Sequence, residues 1–432
     1  MITGCHLLHF MNCENAWRAF CPFNYMSASI TGNLPEEHGL LISVNPGSSS
    51  IKFAVFSADD DLHLLLKGSI TGIGSGTAML KLNDRVHQRT TEKTMPFDTF
   101  EKLTVYTARI LAVCCRQRPI RAIGHRVVHG GSHSSITEII DDFFLKKLES
   151  IKALAPLHLP EALTTIAAFQ RIFPAVLQVA CFDTGFHRHM PFEARHYALP
   201  RYLWKEGLVR YGFHGLSCIS ALQYLQDIGI DPGKYRIIIA HLGSGSSITA
   251  VLHGKSIDTT MGFTPAGGLM MNTRCGDIDP GLAVYLLTQK KLTSKGLDLL
   301  FNKNSGLQAV SQSKHSLSGL LERESSDALA AQAIRMYCYQ VKKQIGAMAA
   351  VLGGADILVF TGGIGENLPV IRERVCEGLT FLGIQTDPLQ PHVPGASGTA
   401  VKGVYVIPSD EEGVIARQTA GCLARQHRFK NS

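Results

Sequence analysis

The sequence lacks any apolar run of the roughly 18 residues that a membrane-spanning helix requires. It also lacks a Cys-x-x-Cys pair, although it contains eleven cysteines, a scatter typical of reduced thiols in a cytoplasmic protein. No basic stripe interleaved with aromatic residues occurs, and the formal net charge is only +7. These absences argue against membrane and nucleic-acid partners, and the mild positive charge suits an anionic small substrate.

The overall composition is that of an ordinary globular protein. Hydrophobic residues make up 45% and charged residues 18% of the chain, and the mean hydropathy is +0.09. These values argue against a disordered chain and against a coiled coil. A chain of 432 residues can bury two or three cores of roughly 150 residues each, so the fold requires neither a disulfide nor a structural metal.

Residues 1–38 differ in composition from the rest of the chain. They contain Cys5, Cys13 and Cys21, whose eight-residue spacing matches no zinc-binding pattern, and they lack the features of a secretory signal. Met26 begins a segment that is similar to an ordinary N-terminus. We therefore expect an extension produced by a mis-called start codon, and a short disordered arm is the alternative.

A strand, a glycine- and serine-rich turn and a second strand occur together over residues 40–56 and again over residues 236–252. The turns lie at Asn45–Ser50 and His241–Ser247. A third glycine-rich turn, Thr361–Asn367, follows another apolar strand. Two such hairpins, about 200 residues apart, indicate two similar halves.

Apolar residues recur every three or four positions over residues 334–352, which predicts a helix. The segment Ser325–Asp327 can cap its start, and Gly353–Gly354 can end it. Strands and helices of both kinds predict an α/β fold in two halves with an active-site cleft between them.

Glycine- and serine-rich turns present backbone N–H groups in a concave arrangement that suits phosphate. One such turn is weak evidence, because hairpins need these residues in any case, but three of them favour a phosphate ligand. None matches the Walker pattern or the dinucleotide-binding pattern, so those two classes are excluded. Charged residues in short polar motifs complete a set suited to phosphoryl transfer, although each alone has a structural explanation: Arg126, Asp183, His214, Arg274 and Glu411.

From about Leu40 to Ala420 the chain resembles the acetate/propionate kinase family of the actin–sugar kinase–heat-shock ATPase superfamily. The matching motifs are Asn-Pro-Gly-Ser-Ser-Ser, Gly-His-Arg-Val-Val-His-Gly-Gly, Phe-Asp-Thr-Gly-Phe-His, Tyr-Gly-Phe-His-Gly, Thr-Arg-Cys-Gly-Asp-Ile-Asp-Pro and Thr-Gly-Gly-Ile-Gly-Glu-Asn. The resemblance implies two RNase H-like domains of the duplicated, actin-like type. We place the first at residues 39–187 plus 408–432 and the second at residues 188–407.

The resemblance implies reversible, Mg²⁺-dependent phosphoryl transfer from ATP to acetate, giving ADP and acetyl phosphate, with Mn²⁺ able to replace Mg²⁺. It assigns catalytic roles to Asp183, His214, Arg274 and Arg126. It assigns acyl contacts to Arg126, Val128, Leu157, Phe213 and Pro265. It assigns nucleotide contacts to Ser48, Ser50, Lys52, His241, Gly243, Ser244, Gly245, Gly363, Ile364 and Asn367. It assigns the metal to Asn45 and Glu411, and it implies a cytoplasmic homodimer.

The chain departs from the family pattern at three places. Ser244 and Leu159 stand where the family usually has Asn, and Ser316-Leu317-Ser318 replaces a segment with an acid and an arginine near the adenine. Two alternatives therefore stay open. The protein could be a propionate- or butyrate-type carboxylate kinase, or a catalytically weakened ATP-binding regulatory member.

Overall fold

Two β-sheets form the framework of the protein. The computed structural model describes residues 39–47, 50–96, 98–131, 135–152, 159–382 and 402–431. The strands of the first sheet are β1 (Leu40–Gly47), β2 (Ser50–Ser57), β3 (Leu64–Thr71), β4 (Met79–Asp84), β5 (Arg89–Thr94), β6 (Ile120–Val127), β7 (Thr137–Ile139) and β8 (Leu177–Phe182). Those of the second are β9 (Arg236–Leu242), β10 (Ser246–Leu252), β11 (Lys255–Thr259), β12 (Ile357–Thr361) and β13 (Gly403–Val406).

The two sheets repeat one topology. The order β3-β2-β1-β6-β8 in the first sheet corresponds to β11-β10-β9-β12-β13 in the second. In each order, the first three strands pair antiparallel with their neighbours. The last two strands run parallel to the middle strand, which is β1 in the first sheet and β9 in the second. This repetition confirms the predicted α/β fold with two similar halves.

Helices lie around both sheets. They are α1 (Phe100–Cys114), α2 (Asp142–Ser150), α3 (Leu159–Ile172), α4 (Phe192–Arg195), α5 (Arg201–Lys205), α6 (Gly215–Asp227), α7 (Pro280–Thr288), α8 (Ser294–Lys303), α9 (Gly306–Ser311), α10 (Leu317–Arg323), α11 (Ala328–Leu352), α12 (Gly362–Asn367), α13 (Pro369–Cys376) and α14 (Glu411–Asn431). Short 3₁₀ helices occur at Gly185–His187, Pro232–Lys234 and Thr380–Leu382.

The helix predicted from the period at residues 334–352 is α11. The Asp327 carboxylate caps it by accepting hydrogen bonds from the backbone N–H groups of Leu329 and Ala330. Gly353 ends it in the left-handed conformation, with φ of 68°. Its apolar face packs on the second sheet, and this burial rather than helix propensity holds it in place.

Helix α14 packs on β1 and β6 of the first sheet and also contacts α6. The packing on β6 is close at Gly124, where any side chain would overlap Thr419 and Ile415. The expected domain boundaries stay a prediction, and the expectation about residues 1–38 concerns residues outside the described ranges. Among the described residues no helix is long and apolar enough to cross a membrane, and the eight described cysteines are free thiols.

Candidate active site

A cleft of about 690 Å³ lies between the two sheets and is lined by residues of both. Such a volume suits a small-molecule ligand. It brings together many of the predicted site residues: Asn45, Ser50, Lys52, Arg126, His214, His241, Gly243, Ser244, Gly245, Gly363, Ile364, Asn367 and Glu411. Ser48 and Leu157 lie outside the described residues, and the other predicted residues stand behind this lining or beside it.

Three predicted residues lie at the carboxyl ends of neighbouring parallel strands. Asn45 is near the end of β1, Arg126 is near the end of β6, and Asp183 directly follows β8. Because β6 pairs with both β1 and β8, these residues lie side by side, at the edge where ligands bind in sheets of this kind. The positions are 81 and 57 residues apart in sequence, so the sheet order alone brings them together.

Asp183 is a buried carboxylate that organises this edge. It accepts hydrogen bonds from Arg126 Nη2 at 2.8 Å and from the backbone N–H of His214 at 3.0 Å. Burial alone would raise the pKa of Asp183, but the Arg126 guanidinium and the polar groups around it hold that pKa well below its usual range. Asp183 is therefore an anion that holds Arg126 in the cleft. Its own side chain does not line the cleft.

Asn45 connects Arg126 to the start of α14. Its Oδ1 lies 3.4 Å from Arg126 Nη1, and its Nδ2 donates to Glu411 Oε2 at 2.8 Å and to Glu412 Oε1 at 3.0 Å. Lys67 pairs with Glu412 at 3.3 Å. Glu412 was not predicted as a site residue, and the only sequence signal for it is its place next to Glu411.

His214 has a backbone conformation that is rare for a residue other than glycine, with φ of 59°. Strain of this kind is typical of functional sites. The two flanking glycines make the turn feasible: Gly212 also has positive φ, and a side chain on Gly215 would overlap the carbonyl oxygen of Asp183. The turn carries the His214 ring into the cleft directly before α6 begins.

The rings of His214 and His241 stack with centroids 4.1 Å apart and an interplanar angle of 26°. His214 Nδ1 lies 3.0 Å from Ser247 Oγ, and His241 Nδ1 lies 2.8 Å from Ser217 Oγ. Burial, and next the neighbouring His241, lower the pKa of His214 well below its usual value, and burial also lowers the pKa of His241. Both rings are therefore neutral near pH 7 and can serve as hydrogen-bond donors to an anion.

Arg274 reaches the same space from the second half of the chain. Its Nη1 donates to the Pro265 carbonyl at 3.1 Å and lies 3.6 Å from Met271 Sδ. A Cβ built on Gly245 would lie 3.2 Å from His214 Nε2 and 3.7 Å from Arg274 Nη1. Gly245 thus faces both side chains, and its lack of a side chain leaves room for a ligand there.

Val128 and Phe213 are buried together with Met261 and Met271 in a small apolar cluster between the halves. These are two of the residues predicted to contact an acyl group. Pro265, a third, adjoins the cluster through the Arg274 side chain, which contacts both the Pro265 carbonyl and Met271. The two methionines were not predicted from sequence, where they look like ordinary core residues.

The second glycine turn closes on itself by a hydrogen bond of 3.0 Å from the Gly243 N–H to the Gly245 carbonyl. The prediction of a third turn at Thr361–Asn367 is wrong in its secondary structure, because Thr361 ends β12 and residues Gly362–Asn367 form the short helix α12. Gly362 begins it with φ of 79°, and Glu366 Oε1 accepts from the Gly362 N–H at 2.9 Å and the Ser409 N–H at 3.0 Å. Local glycine content indicated a turn, whereas side-chain contacts within and beyond the segment stabilise a helix.

Stability of the protein is expected to fall as the pH is lowered from 6.5 to 4. Burial lowers the pKa values of His125, His129 and His187 to about 4, from 6.5. Between these pH values the unfolded chain binds protons that the folded chain does not bind. The free energy of unfolding therefore falls, by about 3 kcal/mol per histidine at pH 4. Urea unfolding at pH 7.5 and pH 5 would test this. His125→Gln should reduce the pH dependence, because it removes one of these buried imidazoles.

The sequence profile of the acetokinase family matches residues 40–417. This chain belongs to the acetokinase family. Among relatives of this chain, the acetate kinase of Methylocella silvestris is 40% identical over 406 residues, which cover 89% of this chain and 98% of that protein. The expected family resemblance is therefore confirmed.

Solved structures agree with this assignment. The acetate kinase of Porphyromonas gingivalis is 36% identical with a TM-score of 0.75, and the match covers 89% of the present chain and 100% of the Porphyromonas gingivalis chain. A propionate kinase from Francisella tularensis is 33% identical with a TM-score of 0.79, and the match covers 89% of this chain and 99% of the propionate kinase chain. The neighbours thus include kinases named for two different carboxylates.

Proposed function

We propose that this acetokinase-family protein is an acetate kinase that transfers the γ-phosphoryl group of ATP reversibly to acetate, giving acetyl phosphate and ADP. The observation that carries the proposal is that Arg274 and His214 both face the space at Gly245, in the cleft that Arg126 also lines. The apolar cluster of Val128 and Phe213 includes Met271, which Arg274 contacts. Cationic and donor groups suit two reacting anions, and the small apolar cluster suits a methyl group.

The reaction requires no general base, because a carboxylate with a pKa near 4 to 5 is already ionised at pH 7. What it requires is charge neutralisation and alignment of two anions. Asp183 holds Arg126, and the Pro265 carbonyl holds Arg274, so both guanidinium groups are oriented before the substrates bind. Neutral His214 donates to the transferring phosphoryl group without adding a proton that must later be removed.

Asn45 and Glu411 have the chemistry that Mg²⁺ prefers, or Mn²⁺ in its place, since both present hard oxygen ligands at the cleft. Among the described residues no group of three or more His, Cys, Asp or Glu side chains is placed to hold a metal. The remaining ligands would therefore be water and nucleotide phosphates, as is usual for Mg²⁺ in kinases. When bound, the ion supplies further neutralisation of phosphate charge.

A coupled assay for acyl phosphate formation tests the proposal. With Mg-ATP we expect turnover of acetate, with kcat/KM falling for propionate and further for butyrate as the larger acyl chain meets Met261 and Met271. Higher kcat/KM for propionate or butyrate would assign the protein to those carboxylates. Binding of ATP without turnover of any carboxylate would indicate the regulatory alternative.

The base end of the cleft is expected to discriminate weakly between nucleotides. Ser316, Leu317 and Ser318 line it, and the two hydroxyl groups hydrogen-bond to each other at 2.8 Å. A hydroxyl can donate or accept, so it penalises neither adenine nor guanine strongly. Arg323, which could have supplied a contact, pairs instead with His315 and Asp327.

We therefore expect kcat/KM for GTP and ITP to be within about tenfold of that for ATP, a difference of ~1.4 kcal/mol. Steady-state kinetics with the three nucleotides at saturating acetate would measure it. A preference for ATP above about a hundredfold, equivalent to ~2.7 kcal/mol, would contradict the expectation.

We also place the protein in the cytoplasm, which its free thiols favour, and expect a homodimer. Helix α7 carries no charged residue and buries none of its side chains within the chain, and Val284 and Tyr285 are 59% and 50% exposed. In a two-fold dimer the same patch meets itself, and an uncharged apolar patch can do so without repulsion. We assign α7 and the neighbouring α8 to this interface.

Val284→Glu is expected to convert the dimer to a monomer, because it places like charges opposite each other at the two-fold interface. Light scattering coupled to size exclusion would measure the mass. Val351→Glu, at a 51% exposed position of α11, is the matched control and should leave the dimer intact. A wild-type monomer, or a dimer unaffected by Val284→Glu, would contradict the assignment.

A further inference from the structure

The side chain of His241 forms a hydrogen bond with Ser217 to which the proposed reaction gives no role. Its Nδ1 lies 2.8 Å from the hydroxyl of Ser217 in the first turn of α6. Ser217 is fully buried, and among the described residues its other side-chain partner is Ser409, whose hydroxyl donates to Ser217 Oγ at 3.3 Å. Ser409 is itself anchored through its backbone N–H to Glu366.

The protons in this chain of contacts can be assigned. Ser409 donates its proton to Ser217, so the proton of Ser217 needs a different acceptor, and His241 Nδ1 is the one within reach. A buried hydroxyl that fails to donate costs free energy. His241 Nδ1 must therefore carry a lone pair, and in the neutral ring the proton then lies on Nε2. Burial lowers the pKa of His241, which agrees with a neutral ring.

The Nε2 edge of the His241 ring faces the second glycine turn and the start of α12. A Cβ built on Gly243 would lie 3.7 Å from His241 Nε2 and 3.9 Å from the Gly363 nitrogen, and one built on Gly362 would lie 3.2 Å from His241 Cε1. The ring edge thus points between the second glycine turn and the start of α12. In the opposite tautomer a lone pair would face bound phosphate oxygens and repel them.

We infer that Ser217 is a positioning residue, which holds His241 in the Nε2–H tautomer so that the ring donates a hydrogen bond to a phosphate oxygen of the nucleotide. The inference rests on the proposed use of ATP for its consequence, but not for the tautomer itself. It also explains why α6 and the Ile407–Ser409 segment meet behind His241: Glu366, Ser409 and Ser217 act on the ring through one line of hydrogen bonds.

A second buried pair in the same protein provides the control. His187 Nδ1 lies 2.8 Å from Ser256 Oγ, and its Nε2 lies 2.9 Å from the Phe213 carbonyl oxygen. A carbonyl can only accept, so it keeps the proton on His187 Nε2 whether or not Ser256 is present. Loss of Ser256 should therefore leave the tautomer unchanged, whereas loss of Ser217 should not.

The direct test is ¹⁵N NMR of the imidazole nitrogens in the full-length, ligand-free protein, with the His241 signals assigned by their loss in His241→Gln. We expect a protonated Nε2 and a bare Nδ1 at His241, a mixture of tautomers in Ser217→Ala, and no change at His187 in Ser256→Ala. A protonated Nδ1 in the wild type, or an unchanged His241 spectrum in Ser217→Ala, would overturn the inference without bearing on the proposed function.

Kinetics test the consequence. Ser217→Ala should lower kcat/KM for ATP about tenfold, Ser217→Thr should restore most of it, and Ser217→Ala should add nothing in a His241→Gln background because the two residues act as one unit. An additive loss in that background would mean that Ser217 acts independently of His241. Absence of any ATP binding or turnover in the wild type would instead refute the proposed function.

Discussion

Arg274→Ala is expected to lower kcat for acetyl phosphate formation by at least two orders of magnitude while the protein stays folded. The guanidinium is oriented by the Pro265 carbonyl, and it reaches the space in front of Gly245 and His214. Burial, and next the charge of Arg126, lower the pKa of Arg274, so two cationic side chains lie close enough to act on one anionic group. Loss of one such preorganised donor typically costs about 2.7–4 kcal/mol of transition-state stabilisation.

Arg274→Lys is the informative companion. It keeps the charge but loses the planar fork that contacts two oxygens at once, so we expect partial activity, above that of Arg274→Ala. Circular dichroism and melting temperature serve as the folding controls. Near-normal turnover in a folded Arg274→Ala protein would remove Arg274 from the mechanism.

Asp183→Ala is expected to reduce both stability and turnover. It leaves Arg126, whose side chain is only 15% exposed, without its carboxylate and leaves the His214 N–H without an acceptor. Breaking a buried ion pair in this way costs about 3–5 kcal/mol of folding free energy. Activity should fall by at least about tenfold, or ~1.4 kcal/mol, even in the folded fraction, because both Arg126 and the His214 turn lose their common anchor.

Asp356→Ala is the control that separates the loss of stability from the loss of turnover. Asp356 also pairs with an arginine, at 2.9 Å from Arg236 Nη2, but on the second sheet and outside the cleft lining. Its loss should destabilise the protein with little change in kcat. Urea unfolding and steady-state kinetics on both variants would decide, and equal losses of kcat would show that Asp183 is a structural residue only.

Local sequence was sufficient to predict the elements that depend on local chemistry. The hairpins over residues 40–56 and 236–252 and the helix α11 follow from apolar periodicity, turn residues and caps within a few positions of one another. The motif residues Arg126, His214 and Arg274 could also be proposed from the sequence, because phosphoryl transfer restricts the residue types that are useful, and their roles stay a prediction. In the third glycine-rich segment local chemistry misled, since a glycine-rich sequence permits both a turn and the helix α12.

Tertiary structure alone decided how these residues meet. The bonds from Asn45 to Glu411 and Glu412 span 366 and 367 residues, and no periodicity in the chain encodes a contact at that separation. It arises because β1 and β6 pair in parallel and α14 packs on both, so three distant strand and helix ends share one edge. The partners of Met261, Met271, Ser217 and Glu366 were likewise invisible in sequence, because a buried methionine or serine acquires a role only from what the packing places beside it.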